Sequence, residues 1–437
     1  MAIALEIVSR ETIKPSSPTP PHLKIYNFSV VDKSQPSMYV PLLFFYPGTC
    51  DTNRSGRELE INQKLKTSLS ETLKHFYPFA GRIKGNDFIE CNDHGVEYIE
   101  ARINCSLEEV IEEPELDELE QFLPISVLSS EGTIGFLLLV QATFFECGAV
   151  ALCLSVSHKV GDAATYSAFI NFWAATASRS SEVMISPVFM GASIFPPIDS
   201  SIPQMSLEFA QQKPVTKRFV FDAHKLAKIR IKAANKKVPQ PSRIEAVSAL
   251  IWKCVVTASR SKLGYSSRPS VWALSVNLRT RLVPPLPENY AGNYAGMFLA
   301  RLEGDELDLH LHDLVYRIRK GKKEVFESYA EKAHGDEVAS TFGGFVKSLL
   351  TLASSNDVDM YACTSWCKFE LYEADFGFGR PIWLSIPGAK FVNSIVLTDT
   401  KDGNGVEAWV TLTKGEMALM ESNEELLEFA AVNPSIL

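Results

Sequence analysis

The chain has 437 residues, 46% of them hydrophobic and 22% charged, with a formal net charge of −9. That length exceeds one typical core, so two domains of roughly 200 residues are expected. The acid excess argues against nucleic acid as the main partner, which needs a basic face, although a local basic patch can still hold an anionic ligand.

Ile7 to Ile13 predicts a first strand, and the four prolines between Pro15 and Pro21 then impose an extended arm. Leu23 to Val31 and Val40 to Tyr46 predict further strands. Glu58 to His75 has helical spacing, with Leu59, Ile61, Leu65, Leu69 and Leu73 mostly on one side, and Pro78 and Gly81 stop it. Asp87 to Cys91 and Val96 to Ala101 predict a hairpin around Asn92-Asp93-His94-Gly95. The acidic run Glu108 to Glu120 is expected to be a solvated surface segment. Phe136 to Phe145 and Ala149 to Val156 are two apolar strands. The breaks at Gln141, Glu146 and Gly148 suit a strand pair better than a membrane span. Ala163 to Ala177 predicts an aromatic-rich helix packed on them.

Ser178 to Pro214 is rich in proline and serine without periodicity, as an interdomain crossover would be. Beyond it, Lys217 to Phe221 predicts a strand, and Ala223 to Asn235 and Ser242 to Ser259 predict helices, the second with Ser242 and Glu245 at capping-box spacing. Ser270 to Asn277 and Met297 to Leu302 predict strands, and Asp305 to Gly335 is mostly helical. Ser394 to Asp399 and Gly405 to Leu412 predict a hairpin, and Leu419 to Phe429 a closing helix. The mixture reads as α/β or α+β with mixed sheets: an N-terminal domain over 1–195, a linker over 196–216 and a C-terminal domain over 217–437. Eight scattered cysteines read as reduced thiols, and neither end shows a secretory or targeting pattern, so the cytosol is the default compartment.

Few residues suit chemistry. His22, His75, His94, His224 and His334 fall in expected loops, turns or helix surfaces. His310 and His312 lack a third ligand, so no metal site is expected. His158 differs. It ends an apolar strand, precedes a helix and has Asp162 four residues later. Burial there lowers an imidazole pKa and leaves a neutral base near pH 7, while the bland alternative is a core histidine with Asp162 as helix cap. No Gly-x-Ser-x-Gly, Walker loop or Gly-x-Gly-x-x-Gly is present, so serine nucleophiles, nucleotide hydrolysis and dinucleotide binding lack support.

Three segments in this order resemble the plant BAHD acyltransferases, and within them the vinorine synthase-like alkaloid acetyltransferase branch. They are His158-Lys159-Val160-Gly161-Asp162, then Asn277-Leu278-Arg279 with Pro284 to Pro287 and Gly292-Asn293, then Asp375-Phe376-Gly377-Phe378-Gly379. The likeness spans the chain, including Pro15 to Pro20, His75 to Arg82 and Phe145 to Gly148. It implies two similar-sized domains with a channel between them, acyl-CoA as co-substrate and a monomeric enzyme with no metal. It also implies transfer, from acetyl-CoA in that branch, to a hydroxyl of an alkaloid or terpenoid. By the same likeness His158 is the general base, Asp162 pairs with Arg279 to hold the histidine loop, and Asp375 with Gly377, Phe378 and Gly379 borders the CoA channel. A thioester is already activated, so no protein nucleophile is required. Two departures stand out: Ala163 follows the motif's Asp where Gly is usual, and Phe378 replaces a Trp, removing an indole N–H that could steady an oxyanion. A transferase for aromatic or longer acyl groups, acting on an alcohol or an amine, and a non-catalytic binding protein on the same scaffold are the alternatives.

Overall fold

The structure, a computed structural model, describes residues 3–48, 54–127, 129, 135–180, 184–198, 213–262, 268–306, 308–330, 335–355, 357–388 and 391–437. The first half runs β1 (Leu5–Ile13), β2 (Ile25–Asn27), α1 (Val30–Ser34), β3 (Tyr39–Tyr46), α2 (Arg54–His75), β4 (Arg82–Lys84), β5 (Phe88–Glu90), β6 (Val96–Ile103), α3 (Leu107–Ile111), β7 (Leu138–Phe145), β8 (Val150–Ser157), α4 (Ala163–Ser178), β9 (Val188–Phe189) and α5 (Gly191–Ile194). The second runs β10 (Val215–Phe221), α6 (Ala223–Lys232), α7 (Arg243–Lys262), β11 (Ser270–Asn277), β12 (Tyr290–Ala291), β13 (Ala295–Leu302), α8 (Leu311–Ala330), α9 (Asp336–Ala353), β14 (Asp359–Ser365), β15 (Trp383–Ser385), β16 (Ser394–Asp399), β17 (Val406–Leu412), α10 (Lys414–Glu421), α11 (Glu424–Phe429) and β18 (Ala431–Val432).

Among the described residues, six strands form one sheet in the order β1-β6-β7-β8-β3-β15, and seven form another in the order β13-β11-β14-β16-β17-β10-β18. Every residue of β7 and β8 is buried, so both strands read as continuous apolar runs and not as alternation. One face of the first sheet packs against α2 and α4 through Leu65, Leu69, Phe169 and Trp173. Its other face packs on α3 through Leu43, Phe45, Leu107 and Ile111. In the second sheet Trp272, Tyr361 and Ile395 pack under α7 through Val247, Leu250 and Ile251. No helix among the described residues is long and apolar enough to cross a membrane.

The two sheets are tied by β15. It comes from the last third of the chain yet pairs antiparallel with β3, Trp383 opposite Phe45 and Ser385 opposite Leu43. The Trp383 ring stacks at 5.4 Å on Phe45 and at 6.1 Å on Trp409 of β17, bridging the sheets. Residues 217–437 thus lend a strand to the sheet of residues 1–195. Of the expected linker, residues 199–212 lie outside the described residues, as do His334 and Cys50.

Several local expectations are corrected. Leu23 to Val31 is not one strand. β2 stops at Asn27 because Ser29 and Asp32 form a reciprocal capping box that starts α1. The expected hairpin at 87–101 does not form. β5 pairs with β2 and β4, whereas β6 lies between β1 and β7. The turn residue Asp93 instead accepts from Lys24 Nζ at 2.7 Å and from Thr19 N at 3.1 Å, which diverts the chain from one sheet to another. The expected closing helix is two, because Asn423 caps α11 through Leu426 N and breaks the run. The helix α9 and the strand β14, parallel to both β11 and β16, were not anticipated.

Trp383→Ala is expected to lower the unfolding free energy by about 3–5 kcal/mol, since it opens a large void where the sheets meet. Denaturant unfolding followed by circular dichroism checks this, and a loss under 1 kcal/mol would mean that the bridge carries little stability.

Candidate active site

β8 delivers the chain to the site in a fixed register. Its ladder with β3 ends at Ser157, and His158 N then donates to Met38 O at 2.9 Å. The turn that follows must be tight: a Cβ on Gly161 would lie 2.7 Å from the Thr165 side chain, which leaves room only for glycine. Asp162 caps α4, its Oδ1 accepting from Thr165 N at 3.0 Å.

Asp162 does more than cap. Arg279, which follows β11 in the other sheet, donates through Nη1 to Oδ2 at 2.8 Å and through Nη2 to Oδ1 at 3.0 Å. Tyr294 N adds a further bond to Oδ2 at 2.9 Å. Arg279 is itself saturated, giving Nε to Tyr290 O at 2.7 Å and Nη2 to Gly292 O at 3.2 Å, with its guanidinium 4.7 Å above the Tyr294 ring. Both side chains are almost wholly buried. Burial by itself would raise the Asp162 carboxyl, but Arg279 and the backbone donors outweigh it and hold the group below the usual carboxylate range. Asp162 is therefore an ion with every lone pair engaged, and no capacity remains for proton transfer.

His158 stands on the wall of a cavity of about 340 Å³ lying between the two sheets. The lining is mostly apolar. It includes Met38 just before β3, Val40 of β3, Met297 from β13, Phe342 and Val346 from α9, and Trp366 just past β14. Nδ1 of His158 is sealed from solvent, so Nε2 is the nitrogen that can reach the cavity. Burial pushes the imidazole pKa below its ordinary value of 6.5, against smaller opposing effects from its own carbonyl and from Asp162. The ring is neutral near pH 7 and free to accept a proton.

The last motif lies elsewhere. Asp375 Oδ1 accepts from Gly377 N at 2.7 Å and Gly379 N at 3.0 Å, closing the loop on itself. Phe376 packs edge-on against Trp173 at 4.8 Å, and Phe378 against Tyr46 at 5.0 Å. Gly377 borders a surface groove with Lys64 and Arg179, on the α2 and α4 side of the first sheet. Asp375, Gly377, Phe378 and Gly379 are not among the residues lining the His158 cavity. Phenylalanine at 378 therefore bears on packing against Tyr46, and the indole absent there removes no donor from the cavity. The cavity is also lined by Trp366 and by the hydroxyl-bearing Ser34, Tyr166, Ser275, Thr364 and Ser394, none of which the sequence marks as functional. They lie in or beside strands and helices as ordinary polar or aromatic residues, a pattern that many core elements share.

The profile of the Transferase family matches residues 3–427. The chain belongs to this family, the BAHD acyltransferases. It is 40% identical over 435 residues to akuammiline synthase 1 of Alstonia scholaris, covering 99% of each chain. It is 37% identical over 459 aligned positions to limonoid 7-O-acetyltransferase of Citrus sinensis, covering 98% of each. Its structure superposes on crystalline vinorine synthase with a TM-score of 0.85 at 35% identity, covering 98% of both. This BAHD enzyme is an acyl-CoA-dependent acyltransferase, and its mixed α/β fold is that of vinorine synthase.

Removing the guanidinium in Arg279→Ala leaves a buried carboxylate without its counter-charge. A destabilisation of about 3–5 kcal/mol is expected from denaturant unfolding. Arg279→Lys is expected to recover only part of it, because one ammonium cannot bridge both oxygens. Full recovery by lysine would show that bidentate geometry is unimportant.

Proposed function

We propose that this BAHD enzyme moves an acyl group, acetyl first among donors, from acyl-CoA to a hydroxyl of an apolar plant metabolite of alkaloid or terpenoid type, with His158 as general base. The observation that supports this most is a neutral, partly accessible histidine on the wall of a large apolar cavity, its neighbouring carboxylate already committed to Arg279. In this reading Nε2 takes the hydroxyl proton as the oxygen attacks the thioester carbonyl. The tetrahedral intermediate collapses, the C–S bond breaks, and the CoA thiolate takes the proton back from His158. No acyl-enzyme forms. The apolar wall excludes water, which limits hydrolysis of the thioester and strengthens the interactions that steady the oxyanion. The O-acetyl donor and acceptor classes follow the limonoid relative's name, and the alkaloid option follows the vinorine synthase likeness.

His158→Gln is expected to reduce transfer by roughly 10²–10⁴-fold while acyl-CoA binding by calorimetry stays unchanged. Full activity in that variant would end the base assignment. Competition among acetyl-, benzoyl- and hydroxycinnamoyl-CoA, with alkaloid and terpenoid alcohols as acceptors and mass-spectrometric detection, is expected to favour acetyl. Preference for a bulky donor would replace acetyl with the aromatic alternative, and acceptor-dependent product of any kind excludes a purely binding role.

The pH dependence has a definite sign. The neutral ring is the active form and its pKa lies below the ordinary histidine value of 6.5. Activity should therefore persist as pH falls through 6.5, and the acidic limb of kcat/KM should have its midpoint below it. A midpoint at or above 6.5 would contradict a desolvated base.

A further inference from the structure

His158 can act as a base only if its Nδ1 carries the proton and Nε2 does not, and something must enforce that choice. Among the described residues the side chain hydrogen-bonded to His158 is that of Asn293. Asn293 is fully buried, and its Nδ2 donates to His158 O at 3.0 Å and to Asp32 Oδ1 at 2.9 Å. Both neighbours are acceptors only, so the amide cannot be turned the other way, and Oδ1 of Asn293 is forced to the opposite side. That Oδ1 and Nδ1 of His158 are both buried, and neither has a hydrogen-bond partner among the described residues. The Asn293 side chain nevertheless favours a protonated ring, as does the histidine's own carbonyl, which Asn293 grips.

Asp32 sits behind this amide. Its two oxygens divide their work. Oδ2 accepts from Ser29 N at 2.9 Å, Ser29 Oγ at 2.7 Å and Tyr26 Oη at 3.1 Å, which caps α1. Oδ1 accepts only from Asn293, through Nδ2 and through the backbone N at 3.3 Å. Five donors converge on a group that is 0% exposed; burial raises its pKa above the ordinary carboxylate value, and the Ser29, Asn293 and Tyr26 donors oppose that rise by favouring the carboxylate. α1 is held in turn by Lys159, next to the histidine, whose buried Nζ donates to Lys33 O at 3.0 Å and Asn86 Oδ1 at 2.9 Å. A helix cap needs no such reach into the other half of the chain.

We propose that Asp32 is a positioning residue for the acyl-transfer base: by locking the Asn293 amide it keeps the proton of His158 on Nδ1 and leaves Nε2 free. The inference rests on His158 acting as the base, but its main test does not. In Asp32→Asn the new amide can keep accepting from Ser29 only by turning its NH2 toward Asn293. That would reverse the Asn293 amide, set a donor against Nδ1 and move the ring proton to Nε2.

The test uses full-length protein labelled with 15N-histidine, at a pH where the ring is neutral, with the His158 signals identified by their loss in His158→Gln. The native enzyme is expected to show a protonated Nδ1 and an unprotonated Nε2. Asp32→Asn and Asn293→Ala are each expected to move the proton wholly or partly to Nε2. Each should lower kcat on the order of 10–100-fold with KM little changed. Ser29→Ala, which removes the cap but spares Oδ1, is expected to lower the melting temperature and leave tautomer and kcat as they were. Asn293→Ala decides the matter if Asp32→Asn does not fold. A native ring protonated at Nε2 overturns the proposal. So do variants that keep the native tautomer, or a Ser29→Ala enzyme that loses kcat as Asp32→Asn does. Should His158→Gln prove fully active while the tautomer shifts as expected, the geometry would stand and the base assignment alone would fall.

Discussion

The buried pair between Asp162 and Arg279 is the constraint on which the rest of this molecule depends. It joins the cap of α4 to the segment after β11, and so joins the two halves of the chain in the buried interior. A lone ion in such a place would be strongly destabilising, and only mutual charge neutralisation with full hydrogen bonding makes it tolerable. Its geometry is demanding enough that the His158 loop, Thr165 and the Gly292–Tyr294 segment are all held by the same two side chains. The pair sets where the cavity wall lies, and His158 inherits its position from it.

The cavity follows from the same economy of charge. Its wall is made by two sheets and by α9, which supply apolar side chains at a depth where polar ones would need partners. Ionic groups at or near it are satisfied: Asp162, which borders the cavity, on Arg279, Asp32 on Ser29, Tyr26 and Asn293, and Lys159 on the carbonyls of α1. Of the titratable groups that line it, Asp162 is committed to Arg279 and Tyr166 donates its hydroxyl to Ser157 O, which leaves the His158 ring. Low polarity lowers the imidazole pKa, and the hydrogen-bonded frame behind it holds the orientation.

Legibility in the sequence varied with the kind of signal. β7, β8, β11, α2, α4 and the β16–β17 hairpin were plain because each carries its own periodicity or apolar run. Leu23 to Val31 was misread because a reciprocal cap between Ser29 and Asp32 outweighs the strand tendency of Ile25 and Tyr26. The hairpin at 87–101 failed because a turn sequence specifies a reversal, not which strand lies alongside after it, and β6 finds β1 and β7 instead. In the site, His158 was visible as a histidine at the end of a buried strand. Trp366 was not distinguishable from a core residue, and Asn293 showed only as part of a family segment with no role attached, since their importance lies in which cavity or atom they meet.

By itself the sequence determined the order and type of most elements and the family through its three motifs, and it singled out His158 as the candidate base. These rest on local periodicity and on residue chemistry, which the chain carries wherever it folds. The Asp162–Arg279 pair was expected from the family likeness, and the tertiary structure supplied its bidentate geometry; only the tertiary structure decided that the Asp375 loop lies away from the His158 cavity and that Asn293 ties His158 to Asp32. Each of these joins residues more than a hundred positions apart, or separates motifs that look equally functional in line. The reason is physical: a side chain's pKa, partners and accessible face are set by whichever segments the sheets bring against it, and no local pattern encodes that company.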